Sequence, residues 1–344
     1  MTMLPTDPAM NDKTALRDAR TARRAALKAV VPRHVLMSSM KDEGPFILEW
    51  VAHHLILGFD LIAVASNDCS DGSDQLLDAL DRAGYIRHVP NVLNPGDIPQ
   101  HAGYAAIRKA VEIDRADWLM MLDADEFLNV HIGGHTVADL TARATDDIDI
   151  IALNGMSFSD TPQVNWQPGR VCQHFPNRLA LTHKANTALK TLTRQPQRFD
   201  GIHNHHMVDY RGEKPLVALR GDGISRKLDP GLPLWKQVRN AAAKPVSFRL
   251  AQYNHYVTKS WDSFMLRRDR GRGAVAVTTP EKQRHTEAYF AERHLSDAPD
   301  LSILRYADAV AALMEAMLQD PRIRRRQKDC DRLYAAMAAP YRRP

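Results

Sequence analysis

Cysteine is scarce in this sequence and does not pair. Its three copies, Cys69, Cys172 and Cys330, are odd in number and far apart. This excludes a disulfide framework and a Cys-x-x-Cys zinc cage, and a reducing compartment is the simplest home. Long apolar runs are also missing. The most hydrophobic stretch, 46–65, is interrupted by Glu49, His53, His54 and Asp60, so no transmembrane helix is predicted. The opening MTMLPTDPAMNDK lacks a basic start followed by an apolar run, and the expected location is the cytoplasm. Aromatic residues make up only 7% of the chain and do not interleave with its basic blocks as a single-strand-binding groove requires. No nucleic-acid partner is expected.

The rest is ordinary globular composition, 44% hydrophobic and 25% charged over 344 residues, enough for two domains or one large one. Lys plus Arg number 46 against 41 for Asp plus Glu. Much of that excess sits at the ends, in 13–28 and 322–343. Such blocks suit an anionic surface, where each cation contributes about 1 kcal/mol. They are also the normal composition of a solvated helix face.

Residues 14–31 predict an added helix closed by Pro32. After it, short apolar runs alternate with segments of helical period. HVLMSS, LIAVAS, YIRHVP, DWLMMLD and IDIIAL read as strands, the last at 148–153. This alternation predicts an α/β fold with a mainly parallel sheet and helices on both faces, and such sheets bind ligands beyond the carboxyl ends of their strands. The informative positions are therefore 39–43, 67–73 and 123–126. Beyond Asn154 the pattern weakens into a loop-rich stretch, and helices return from Trp261.

Asp123, Asp125 and Glu126 of LDADEF stand directly after an apolar strand. Such a cluster repels itself unless a cation is present. Residues at i and i+2 can share one side of an extended segment, so Asp123 and Asp125 can direct oxygen ligands to one ion. Carboxylates select Mg²⁺ or Mn²⁺ over zinc. An ion held by one or two carboxylates keeps positions open for diphosphate oxygens.

The succession MKDEGPFILEWVAHHLILGFD, SNDCSDGS, DWLMMLDADEFL and YNHYVTKSWDSFMLRRDRG resembles the bacterial branch of the family-2-like glycosyltransferases of GT-A fold, over roughly 33–273. The resemblance implies a GT-A, Rossmann-like mixed sheet with an added N-terminal helix and a helical C-terminal region. It divides the chain into a basic extension (1–32), a nucleotide-sugar-binding core (33–210) and an acceptor-side region (211–344). It places Lys41, Asp42 and Glu43 at the nucleotide base and ribose, and Asn67, Asp68, Ser70 and Asp71 in the loop beside the nucleotide. Asp123 and Asp125 match the metal-binding DxD, and Glu126 matches its acidic follower. The implied activity is transfer of a hexosyl unit from a UDP- or GDP-sugar, with Mn²⁺ or Mg²⁺, to a saccharide or lipid-linked acceptor in surface polysaccharide or glycolipid synthesis. The basic ends then suit peripheral contact with the inner membrane.

One of His203, His205 or His255 is expected to complete the ion's shell or to contact the diphosphate, whereas His53 and His54 read as packing or capping residues of the first helix. The long cations Lys190, Arg194, Arg198, Lys259, Arg267, Arg268 and Arg270 suit a diphosphate or an acidic acceptor; Lys190 and Lys259 are singled out, and most of the set reads as solvated. An inverting transfer needs a carboxylate base, for which Asp200 and Asp160 are the candidates by placement. Two other readings keep the same sheet. A sugar-phosphate nucleotidyltransferase carries a glycine-rich loop after its first strand, which SSMKDEGPF does not match. A non-catalytic binding module would tolerate loss of the acidic pair.

Overall fold

The computed structural model of the chain describes residues 13–29, 33–240, 246–271, 273–275 and 285–344. Residues 1–12 and 30–32 of the expected N-terminal extension lie outside them. The predicted alternation is present. Strands β1 (His34–Met40), β2 (Leu61–Ser66), β3 (Arg87–Pro90) and β4 (Trp118–Met121) are parallel and lie side by side in the order β3-β2-β1-β4. Helices α2 (Gly44–Ile56), α3 (Ser73–Ala83) and α4 (Pro99–Ala110) connect them, and α1 (Lys13–Ala29) precedes them. Pro45 and Pro99 stand in the first turns of α2 and α4, where the missing N–H costs nothing. Gly84 closes α3 in the left-handed region at φ 79°.

β1, β2 and β4 are mostly apolar and buried because both faces are covered. Leu36, Ile62, Val64 and Met120 pack with α2 and α3, while the alternate residues Val35, Ala63, Leu119 and Met121 pack with Tyr104 and Ile107 of α4. β1 is flanked by β2 on one side and β4 on the other. The strand order therefore reverses at β1, which opens a crevice at the carboxyl ends.

The second half makes the sheet mixed. The tail of the acidic motif is itself a strand, β5 (Glu126–Val130). It is followed by β6 (Ile150–Ser157), β7 (Leu189–Arg194), β8 (Phe199–Ile202), β9 (Met207–Tyr210), β10 (Val217–Arg220), β11 (Ser225–Lys227) and β12 (Ala251–His255). β7 runs antiparallel between β4 and β6, and β8 pairs with β9 in a separate hairpin. β10 pairs with β6, and β12 pairs with β5 and β6. The sheet thus crosses the boundary expected at 210/211, because strands beyond it need β6 to satisfy their backbone groups.

Four helices complete the chain: α5 (Trp261–Arg270), α6 (Glu287–His294), α7 (Ala307–Leu318) and α8 (Pro321–Ala338). α8 buries Ile323, Cys330 and Tyr334 against the α2 and α3 layer. A β-carbon on Gly44 would lie 2.7 Å from the Cys330 β-carbon and 2.9 Å from Asp71 Oδ2, so this approach requires glycine. α1 rests on α3. Arg23 Nε donates to the Ala83 carbonyl at 2.8 Å and its guanidinium lies over Tyr85, while Arg20 pairs with Asp320 at 2.7 Å. No described helix is long and apolar enough to cross a membrane.

Candidate active site

A cleft of about 450 Å³ opens at the carboxyl ends of β1, β2 and β4. Lys41 and Glu43 enter it after β1, Asn67 and Asp68 after β2, and Asp123, Asp125 and Glu126 after β4. His205, His255, Arg267 and Arg270 face them from the second half of the chain.

The acidic turn is held from below. Trp50 of α2 donates its indole N–H to the carbonyls of Asp123 and Glu126, at 3.1 and 2.9 Å. The Asp123 amide donates to Glu126 Oε2 at 2.9 Å. Asp123 Oδ1 accepts from Gln100 Nε2 at 2.6 Å, and Oδ2 lies 3.4 Å from Lys190 Nζ. Lys190 has no exposed surface and lies 2.8 Å from Glu126 Oε2, with a further bond to the Asn204 carbonyl at 2.8 Å. It joins the turn to the β8–β9 hairpin. Burial pushes the Glu126 carboxyl up to about 7, Lys190 pulling it back and Asp123 adding to the rise. Burial works against the Lys190 charge, but Asp123 and Glu126 overcome it and hold the ammonium above its ordinary value.

Asp125 is 2% exposed and paired with the Arg267 guanidinium, and His255 Nε2 lies 3.5 Å from the same oxygen. Burial alone would raise its pKa; Arg267 first and then His255 hold it well below the carboxylate range. The β12 register sets His255 opposite Glu126, and the Tyr256 amide donates to the Asp125 carbonyl at 2.9 Å. Arg270, one turn on from Arg267, reaches Glu43 at 2.8 Å and the carbonyls of Lys41 and Asp42. Lys259 lies 3.6 Å from Glu43 and 4.4 Å from the Phe46 ring centre. Burial lowers its pKa, with Glu43 opposing. Burial raises the Glu43 carboxyl, but Lys259 and Arg270 outweigh it and the net direction is downward.

Arg267 and Arg270, not singled out from the sequence, are thus half-buried partners of site carboxylates. Their three-residue spacing on one helix was the available signal. Lys259, by contrast, faces the small neighbouring pocket around Glu43 and Tyr334. Gln100 carried no chemical signal in the sequence.

Three residues expected at the nucleotide instead clasp its loops. Asp42 Oδ1 accepts from the Ser70 amide at 2.6 Å, the Ser70 hydroxyl at 3.0 Å and the Asp71 amide at 3.3 Å. Asp71 accepts from the Gly44 amide at 2.7 Å and from the Ser73 amide and hydroxyl at 2.9 and 2.6 Å. Asp42, Ser70 and Asp71 do not line the cleft; they spend their hydrogen bonds fixing the loop after β1 to the loop after β2. Asp42 and Asp68 both adopt positive φ, 51° and 46°, as short polar side chains can.

The two nominated bases also stand outside the cleft. Asp160 is buried against the His294 ring at 2.9 Å, and Asp200 pairs with Arg211 at 3.1 Å beside a separate surface depression. The histidines divide. His255 and His205 line the cleft, but His205 Nδ1 is engaged by the Leu189 carbonyl at 2.8 Å. His203 packs 5.2 Å from the His101 ring and does not line it. His53 and His54 are buried packing residues, as read from sequence.

The donor chemistry fits a hard divalent cation held through two carboxylates, because Asp123 and Asp125 line one cleft with His255 beside Asp125. Among the described residues no three His, Cys, Asp or Glu side chains form a ready metal cage. Lys190 lies 3.4 Å from Asp123 and Arg267 pairs with Asp125, so each carboxylate has a cationic neighbour.

No protein-family model matches the chain. Over 174 residues, 49% of its length, it is 23% identical to a glycosyltransferase family 92 protein of Oryza sativa subsp. japonica, and it spans only 29% of that relative. Among solved structures, S. aureus TarS 1-349 superposes with a TM-score of 0.34 at 11% identity, covering 90% of this chain and 91% of TarS. Its complex with UDP-GlcNAc gives 0.31 at 12% identity over 47% and 45%. The superposition is loose, and the assignment of the cleft rests on its own geometry.

Proposed function

We propose that the chain is a glycosyltransferase of GT-A type, akin to the bacterial family-2-like enzymes, that takes a hexosyl unit from a nucleotide diphosphate sugar. The observation that carries this reading is the acidic turn Asp123-Ala124-Asp125-Glu126 at the carboxyl end of a parallel strand beside the reversal point, lining one cleft with Arg267, paired to Asp125, and Arg270, paired to Glu43. The sequence likeness to a glycosyltransferase over half the chain supports it.

Lys41, Asn67 and Asp68 lie at the ends of β1 and β2 and are the groups offered to the nucleoside. Asp123 and Asp125 would hold Mg²⁺ or Mn²⁺, with His255 at the edge; such an ion neutralises the charge that grows on a departing diphosphate. Arg267 and Arg270 add fixed positive charge beside these carboxylates, positioned for the charge that develops on the leaving group. Lys190 keeps Glu126 and Asp123 together at the turn. The acceptor, a saccharide or lipid-linked saccharide of surface polysaccharide or glycolipid synthesis, would enter beside His205 and His255.

Hydrolysis of a panel of UDP- and GDP-sugars, with Mn²⁺ or Mg²⁺ and with chelator, tests the reading. Turnover is expected only with metal, and Asp125→Ala is expected to lower it by about 100-fold or more while the protein stays folded. Equal turnover in the variant, or in chelator, contradicts it.

A further inference from the structure

The two basic ends lie some 300 residues apart in sequence, yet the fold brings them together. α1 and α8 both pack on α3, and the Arg20–Asp320 pair at 2.7 Å ties α1 to the residue that caps α8. α1 carries six basic residues and one acidic, and α8 six and two. They hold net charges of +5 and +4, against +5 for the whole chain, so the remainder is net −4. The net positive charge therefore resides on two helices that share α3 as their support.

On α8 the charge is also ordered. Ile323, Cys330 and Tyr334 are buried, and on the opposite side Arg325, Lys328 and Arg332 stand exposed at i, i+3 and i+7. Asp329 lies 4.0 Å from Arg325 and 3.4 Å from Arg326, whereas Lys328 and Arg332 have no ion-pair partner among the described residues. Beside this stripe lies an open depression of about 460 Å³ with Trp166 and Pro168 on one wall and Lys328, Arg332 and Arg342 around it. Its one carboxylate, Asp331, accepts a hydrogen bond from Gln327 at 2.9 Å.

We propose that the α1–α8 face docks the protein on an anionic phospholipid bilayer, with Lys328, Arg332 and Arg342 receiving lipid phosphates. Charge complementarity selects this occupant. A straight stripe of cations meets a planar anionic surface along its length. Neither helix offers exposed aromatic rings for base stacking, since α1 has none and Tyr334 of α8 is buried. The cleft lies elsewhere, so the proposal stands apart from the catalytic reading.

The test is cosedimentation of the full chain with vesicles of phosphatidylcholine alone or mixed with phosphatidylglycerol, at low and high salt. Binding is expected only to the mixed vesicles, weakening as salt rises. The variant Arg325→Gln/Lys328→Gln/Arg332→Gln is expected to lose about tenfold or more of that binding, with its thermal unfolding unchanged. Salt sensitivity of the wild-type protein gives a reading that does not depend on the variant. Equal binding to both vesicle types, undiminished binding by the variant, or tighter binding to an RNA or DNA oligonucleotide than to the mixed vesicles would overturn the proposal.

Discussion

Lys190 is the side chain on which the acidic turn depends most. It is fully buried, and its ammonium satisfies Glu126, lies near Asp123 and donates to the Asn204 carbonyl. Removing one partner of a buried pair leaves the other without its charge, which costs about 3–5 kcal/mol. Lys190→Met is expected to fall in that range in urea unfolding. The double variant Lys190→Met/Glu126→Gln should recover part of the loss, and no recovery would mean that the pair is not the source. Lys190 was legible in the sequence as a cation with a role, but its role as a tie between the turn and a hairpin was not. A lysine in KTLTRQPQRFD carries no mark of being the central strand residue that the Leu189–Arg194 register makes it. Asp42, Ser70 and Asp71 show the opposite limit. Their motif was visible, yet motif spacing does not say whether an Asp faces a ligand or an amide.

At the scale of elements, α2 supports the site by packing on β5. His53 of α2 contacts the Leu128 carbonyl of β5 at 2.7 Å in a fully buried setting. Burial lowers its pKa from 6.5 to about 4, the Leu128 bond opposing. A depressed histidine contributes stability that is complete above about pH 6.5 and is lost as pH falls toward 4, because the unfolded chain takes the proton first. The contribution lost by pH 5 is about 2 kcal/mol. Glu49 on the same helix, pushed up by burial to about 7, acts in the other sense, so the clean readout is a difference. Thermal unfolding of His53→Gln should fall less steeply between pH 7 and 5 than that of wild type; parallel slopes would contradict the assignment. The strands β1 to β4 and the helices between them were legible because each buries a continuous or periodic apolar run. β5, β7 and β12 were not, because they pair with strands far along the chain and their own apolar patterns are short.

In the whole molecule a large mixed sheet carries the acidic turn at its crevice, with Arg267 and Arg270 paired to its carboxylates and helices outside. The strand-end rule located that crevice from the sequence, and the structure draws Lys41, Glu43, Asn67, Asp68, Asp123, Asp125 and His255 into it. It leaves Asp160, Asp200 and His203 elsewhere, because loops after Asn154 carry no periodicity from which their course can be read. Anomalous diffraction at the manganese edge, from crystals grown with Mn²⁺ and a UDP-sugar, is expected to show a manganese peak at Asp123 and Asp125, next to the diphosphate. A peak and nucleotide bound away from these two carboxylates would contradict the metal assignment.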